Sequence, residues 1–264
     1  NNRRPKQRQL HGLFTHTRDL VMWGEVLFDT IRIIVSFFVV LTLVKNYIFL
    51  ILSPIHPVRE KIRFIRLSKL TKGKPKGTQK PLISVIVPAW NEEVGVIRTI
   101  QSIGQNGYAH TELIVIDDGS TDGTLQAIKD HFARAKKHKL YRNFRVYVIS
   151  QKNQGKGAAL NNGVKRATGD IILTVDADSI LKKGALDNLV KYYLDDKVMA
   201  VVGNVEVANP KTLVGFAQQL EYYFGFYNKR AHALLDAEYI FGGACASFRS
   251  SVFDSLGGFD TENK

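Results

Sequence analysis

Cysteine is nearly absent from this chain: Cys245 is the only one in 264 residues. An intrachain disulfide framework is therefore excluded, which agrees with a reducing compartment. Acidic residues are scarce at one end. Residues 1–80 hold 16 Lys and Arg against 4 Asp and Glu, whereas residues 81–264 hold 21 against 20. The formal charge of +13 thus belongs to one segment, and the near-neutral remainder argues against a nucleic-acid partner. No period of self-similarity is present, which excludes a repeat array. Two phosphate-binding motifs are missing as well. No G-x-G-x-x-G follows a strand and opens a helix, so a dinucleotide-dependent oxidoreductase has no basis. QGKGAA at 154–159 resembles a phosphate loop, but Gly157 follows Lys156 where Ser or Thr must hold magnesium. Ser150 also stands where the leading glycine belongs, which argues against an ordinary NTPase.

What is present begins with a hydrophobic run, Ile31 to Leu52. As a helix its 22 residues span roughly 33 Å, enough for a hydrocarbon core of about 30 Å. Arg32 sits at one end and can snorkel, while Lys45 lies inside and is costly there. The rival reading is a buried helix of a soluble protein. A membrane span is favoured because apolar residues cover every face and leave no polar stripe. The run is too long, and begins too late, for a cleaved signal peptide. Residues 53–80 carry nine basic residues against one acid, and residues 1–30 carry five against three. The positive-inside rule therefore places the C-terminal side in the cytoplasm, at the cell membrane. The expected organisation is a basic segment (1–30), a transmembrane helix (31–52), a basic juxtamembrane linker (53–81) and one domain (82–264). Within that linker, 68–81 is rich in Lys and Gly and suited to anionic membrane lipids.

From residue 82 apolar strands alternate with amphipathic helices: ISVIVPAW, ELIVIDD, FRVYVIS and DIILTVDAD each precede a helical pattern, and MAVVGNVEV returns to strand. The alternation predicts an α/β fold, a mainly parallel, doubly wound sheet with helices on both faces. Such sheets bind ligands at the carboxyl ends of their strands, and the unusual polar residues gather there: PAWNEE, DDGS, QKNQGKG and DAD. The last is the most pointed. In an extended chain, residues two apart share a face, so Asp176 and Asp178 are expected on one side. Two like charges held close repel unless a cation intervenes, and a divalent metal is one solution; two solvated aspartates in a turn are the weaker alternative.

Taken in order, ISVIVPAWNEE, VIDDGSTDGT, NQGKGAALNNG, VDAD and FGGACASFRSSVFDSLGGFD resemble the family 2 glycosyltransferases over residues 82–260. With the N-terminal span, the chain is similar to membrane processive synthases of poly-N-acetylglucosamine, hyaluronan or cellulose. The resemblance implies a GT-A-like, Rossmann-like fold and an inverting hexosyltransferase. It would move a sugar from a UDP-sugar donor to a polysaccharide or glycolipid acceptor. It implies Mg2+ or Mn2+ on Asp178 and Asp176, since a cation bridging the leaving diphosphate lowers the barrier. Asp176 would also face the ribose or the donor sugar. Asp118, with Asp117 beside it, would accept from the uracil N–H. Trp90 would stack on the base, with core packing as its rival role, and Pro88 and Glu92 would line the same loop. Lys156, between Gly155 and Gly157, would neutralise the diphosphate, with an ordinary surface lysine as the alternative. Gly243 and Cys245 would meet the acceptor, and the aromatic-rich helix over 207–235 would pack under the acceptor channel or lie at the membrane surface.

One part of the pattern departs from the family. The aspartate that deprotonates the acceptor follows the GGF segment in a Thr-Glu-Asp-like motif, whereas Thr261-Glu262-Asn263 carries no aspartate. The expectation is a chain truncated at the C-terminus, with the donor site present and the base and channel beyond Lys264, and therefore inactive alone. A non-processive enzyme acting on a lipid carrier and a non-catalytic nucleotide-sugar-binding module remain as alternatives.

Overall fold

The structure is a computed structural model that describes residues 4–71, 80–135, 139–141, 144–208, 210–237 and 244–262. The chain opens with two helices, α1 (Arg4–Leu52) and α2 (Ile55–Thr71). α1 is one helix of 49 residues that runs through both the basic segment and the hydrophobic run expected to span. The expected linker is also helical up to Thr71, because 55–71 carries an amphipathic pattern beneath its positive charge. Most of the Lys/Gly stretch at 68–81 lies outside the described residues. Pro54 separates the two helices, as a residue without an N–H and with a fixed φ should.

The domain beyond them is a six-stranded sheet in the order β3-β2-β1-β4-β6-β5. Its strands are β1 (Ile83–Ala89), β2 (Thr111–Asp118), β3 (Arg145–Gln151), β4 (Ile171–Val175), β5 (Ala200–Val202) and β6 (Cys245–Arg249). The first four are parallel, joined by α3 (Val96–Gly104), α4 (Thr124–Ala135) and α5 (Lys156–Arg166). They follow the expected doubly wound pattern. The end of the sheet differs, because β6 enters antiparallel between β4 and β5. The strand expected at 199–207 shrinks to three residues. Between β4 and β6 lie α6 (Ala185–Tyr192) and α7 (Leu213–Leu234), and α8 (Ser251–Leu256) follows β6.

Alternation along the strands divides the core in two. Val85, Val87, Leu113, Val115, Leu173 and Val175 pack with Ile100 of α3, Ile128 of α4 and Leu186 of α6. Ile86, Ile114, Ile116 and Ile172 face the other way, onto Ala159 and Leu160 of α5. Both strands β1 and β2 are buried along their whole lengths, which is why they read as continuous apolar runs rather than alternating ones. Pro88 sits inside β1, level with Ile116 of β2. It does not line the loop. Lacking an N–H it cannot extend a ladder on both sides, and the β1–β4 pairing ends at Ile86 opposite Thr174.

Candidate active site

The parallel strands end at one edge, and the segments that leave them are stitched into a ring. Asp118, the last residue of β2, is 3% exposed. Its Oδ1 accepts from Gln151 Nε2 (2.8 Å) and the Gln154 N–H (3.0 Å), and its Oδ2 accepts from the Gly155 N–H (2.9 Å). A carboxylate offers about four acceptor positions, so most are committed to holding the β3–α5 turn. Gln151 is itself held by Asn162 Nδ2 (2.7 Å). Asp117 lies deeper, level with Ala89 of β1 and Ser150 of β3, and accepts from Ser150 Oγ at 3.1 Å.

The turn that Asp118 holds delivers Lys156. Its Nζ lies 2.5 Å from Asp176 Oδ1, so this lysine and the DAD element meet. Its two glycine neighbours are required for different reasons. Gly155 has φ +91°, which other residues rarely adopt. A methyl group on Gly157 would collide with the carbonyl oxygen of Asp260, because the segment after α8 folds back over the first turn of α5. That fold-back is fixed by Asn161, whose side chain bonds both to the Phe259 carbonyl (2.8 Å) and to its N–H (2.6 Å).

The DAD element corrects an expectation. Strand β4 stops at Val175, and residues 176–179 form a turn closed by the Ser179 N–H on the Asp176 carbonyl (3.0 Å). The two carboxylates are thus gathered by a turn, not by strand alternation. Thr99 of α3 fixes that turn through the Ala177 carbonyl (2.6 Å). Gly95, which precedes α3, lies where a side chain would press on Glu92 Oε2 and on the backbone of Ala177 and Asp178. Glu92 therefore faces the turn. Its carboxyl is pushed above the usual value by burial first, then by the Asp178, Asp122 and Asp176 carboxylates. Three carboxylates besides Glu92 therefore bear on this turn.

The ring closes back to β2. Asn91 adopts φ +54°, and its Oδ1 accepts from the Thr121 N–H (2.8 Å) while its own N–H donates to Ser120 Oγ (3.0 Å). The Glu92 N–H donates to Thr124 Oγ1 (2.8 Å). Trp90, beside Asn91, is 56% exposed, which removes the core-packing alternative. Cys245 pairs with Val175 and so lies next to Asp176. Burial first, and then the Asp176 charge, push its thiol up to about 11, which leaves it protonated and unsuited to nucleophilic attack. Gly243 and Asn263 lie outside the described residues. Asn91, Gln151 and Asn162 were not singled out in the sequence. Asn91 stood inside the quoted WNEE, where its tolerance of left-handed backbone was the available signal.

The donor set can be tested against a divalent cation. Among the described residues, no group of three or more His, Cys, Asp or Glu side chains is arranged to hold a metal ion. Magnesium, however, is commonly bound by one or two carboxylates together with substrate phosphates. Asp178 is exposed, Asp176 is partly exposed, and Glu92 is near enough to feel the charge of both. Hard oxygen ligands of this number fit a cation that arrives with a diphosphate.

Comparison with known proteins places the chain among relatives. The chain is 31% identical over 183 residues to poly-β-1,6-N-acetyl-D-glucosamine synthase of Staphylococcus aureus strain COL, covering 68% of this chain. The synthase of the same name from Staphylococcus epidermidis matches equally, at 31% over 183 residues. The chain spans 42% of the length of these curated relatives. Among solved structures, a mannosyltransferase from Pyrobaculum calidifontis in complex with GDP-mannose and Mn2+ superposes with a TM-score of 0.56 at 27% identity. That match covers 83% of this chain and 60% of the other. Residues 84–257 match the sequence profile of glycosyl transferase family 2, and the chain belongs to that family.

Proposed function

We propose that this chain forms the donor side of a membrane polysaccharide synthase, an inverting hexosyltransferase that takes sugar from a UDP-sugar at the cytoplasmic membrane face. The observation that carries the reading is the ring at the sheet edge. Asp118 holds the turn before Lys156, Lys156 pairs with Asp176, and Glu92 feels Asp176 and Asp178. A nucleoside diphosphate sugar needs such a set: an acceptor for the base, an exposed aromatic face, and opposite charge for two phosphates.

In this reading Trp90 stacks on uracil, and the acceptor position still open on Asp118 Oδ2 takes the uracil N–H. Asp117 supports the same turn from below. Lys156 turns from Asp176 toward the diphosphate as the donor enters, neutralising charge on the leaving group. Mg2+ or Mn2+, held by Asp178 and Asp176, would supply the remaining neutralisation when bound. Asp176 also orients the ribose or donor sugar. Cys245, at the start of β6 beside Asp176, lines the approach of the acceptor, with Gly243 nearby in sequence. The exposed, apolar first half of α7, including Leu213, Phe216, Leu220 and Tyr223, suits a polymer or glycolipid path.

The span rests on α1. Among the described residues one stretch, Met22–Leu67, is long and apolar enough to cross a membrane; its part up to Leu52 belongs to α1, the rest continues into α2, and its most apolar window is 0% buried. The product of the staphylococcal relatives makes UDP-N-acetylglucosamine the donor to test first. A second reading, single transfer from a GDP-sugar, is favoured by the mannosyltransferase superposition. Calorimetric titration of the detergent-solubilised chain with UDP-N-acetylglucosamine and GDP-mannose, each with Mn2+, separates them. Preference for the uridine donor supports the proposal. Preference for the guanosine donor selects the second reading, and binding of neither overturns both.

A further inference from the structure

Helix α2 is mounted with its polarity reversed relative to a helix on a soluble surface. Its charged side faces the domain. Arg63 reaches Asp195 just beyond α6, with Nη2 at 2.7 Å and Nε at 3.2 Å from Oδ2. Arg59 donates to the Leu234 carbonyl at the end of α7 (2.7 Å) and to Asp236 (3.1 Å). Glu60 on the same side is only 7% exposed, and Phe64 meets the Tyr192 ring edge-on at 4.9 Å. The opposite side carries Ile55, Val58, Ile62 and Ile65, which are 48%, 58%, 55% and 49% exposed. Their spacing of three and four residues makes one continuous aliphatic stripe. Lys61 and Arg66 are both exposed and fall on either flank of that stripe.

The stripe is continuous with the surface of α1. Only Ser53 and Pro54 separate the helices, and the end of α1 is clamped to the same partner. Phe49 packs on His232 of α7 at 4.8 Å, and Tyr227 Oη donates to the Leu50 carbonyl (2.5 Å). The helix cannot simply roll to hide its aliphatic side, because Arg59 and Arg63 are already committed inward.

We propose that α2 lies in the plane of the bilayer surface, its aliphatic stripe immersed among acyl chains and Lys61 and Arg66 reaching anionic headgroups. This rests on α1 crossing the membrane and adds to it a second, in-plane contact that sets the tilt of the sheet. Two features select lipid as the occupant. The stripe begins where the apolar helix ends, and it is flanked by cations on both sides.

The test uses the full chain with Cys245→Ser, reconstituted in vesicles of equimolar phosphatidylcholine and phosphatidylglycerol. Single cysteines are introduced by Val39→Cys, Ile62→Cys or Lys129→Cys and labelled with an environment-sensitive fluorophore. Val39 reports the span, Ile62 reports α2, and Lys129 is exposed on α4 as the aqueous reference. Quenching by aqueous iodide is expected to be several-fold weaker at 62 than at 129, and a shallow spin-labelled lipid is expected to quench 62 strongly. Iodide access at 62 equal to that at 129, with 39 quenched by lipid, overturns the proposal and leaves the span intact. A probe at 62 shielded from both quenchers also overturns it, because a protein surface then covers the stripe. Failure of lipid to quench 39 would instead remove the span on which the proposal rests. As a second readout, Lys61→Glu with Arg66→Glu is expected to raise iodide access at 62, and no change would count against the headgroup contacts.

Discussion

The two ends of the parallel sheet both hold carboxylates, and they treat them oppositely. At the amino end Glu112 is fully buried and surrounded by donors: the Ser84 hydroxyl, the Thr168 N–H (2.5 Å) and the Thr168 hydroxyl (2.9 Å). At the carboxyl end Asp176 has a lysine, while Glu92 lies toward the same turn and is pushed up by burial first and then by the Asp178, Asp122 and Asp176 charges. The first arrangement completes the fold by itself. The second gathers several carboxylates near one turn, with Lys156 on one of them. Asp118 stands between the two types, since it is buried and donor-rich yet keeps acceptor capacity toward the edge. A carboxylate's surroundings, rather than its position at a strand end, thus separate structural from ligand-binding acids.

The largest test of this contrast is Glu112→Ala. It strands the Thr168 N–H and two hydroxyls, and should cost about 3 kcal/mol. Thermal unfolding should then fall by about 6–12 °C, with nucleotide binding by the folded fraction retained. Asp118→Ala should cost about 2 kcal/mol, and unlike the first change it should also weaken nucleotide binding, because the turn bearing Lys156 is freed.

A smaller effect is expected away from both ends. The Lys197 N–H first, and then Arg63, hold the Asp195 carboxyl below its ordinary value of 3.8. A depressed folded value gives stability that is present above 3.8 and is lost as pH falls through the folded value. Asp195→Asn should therefore reduce stability at pH 7 by no more than about 1 kcal/mol. The difference from wild type should vanish in strongly acidic melts, and a gap that persists there would break the assignment. The smallest effect is Glu92→Gln. A raised carboxyl opposes folding at neutral pH, so the metal-free protein should melt about 1–2 °C higher, while Mn2+-dependent binding weakens. Glu112→Gln, where nothing repels, should show no such gain.

Much of the domain was legible because β1, β2 and β4 are buried on both faces, and such strands leave long apolar runs. The polar clusters after them were legible for the same reason, standing out as interruptions. Strand β6 was not. CASFR is short and chemically mild, and its place between β4 and β5 depends on pairings such as Val175 with Cys245. Helix α2 falls in the stretch read as a basic juxtamembrane linker, whose Lys- and Gly-rich end hides the amphipathic pattern before it. The partners that bury Arg59 and Arg63 lie more than 130 residues away. The DAD turn was misread as extended because alternation describes a strand only while its ladder lasts, and β4 stops one residue earlier. Asn91 and Gln151 escaped notice because each acts on a loop that the sequence does not place beside it.

The central claim is that the carboxyl edge of the sheet is one cation-assisted pocket, and a paired titration addresses it most directly. Uridine without metal, and UDP with and without Mn2+, are titrated into wild type, Asp178→Ala and Asp118→Ala. The account predicts that Asp178→Ala loses the Mn2+-dependent gain for UDP but keeps uridine affinity, whereas Asp118→Ala weakens uridine even without metal. Equal effects of the two changes on metal-free uridine, or UDP binding indifferent to Mn2+ in the wild type, would contradict it.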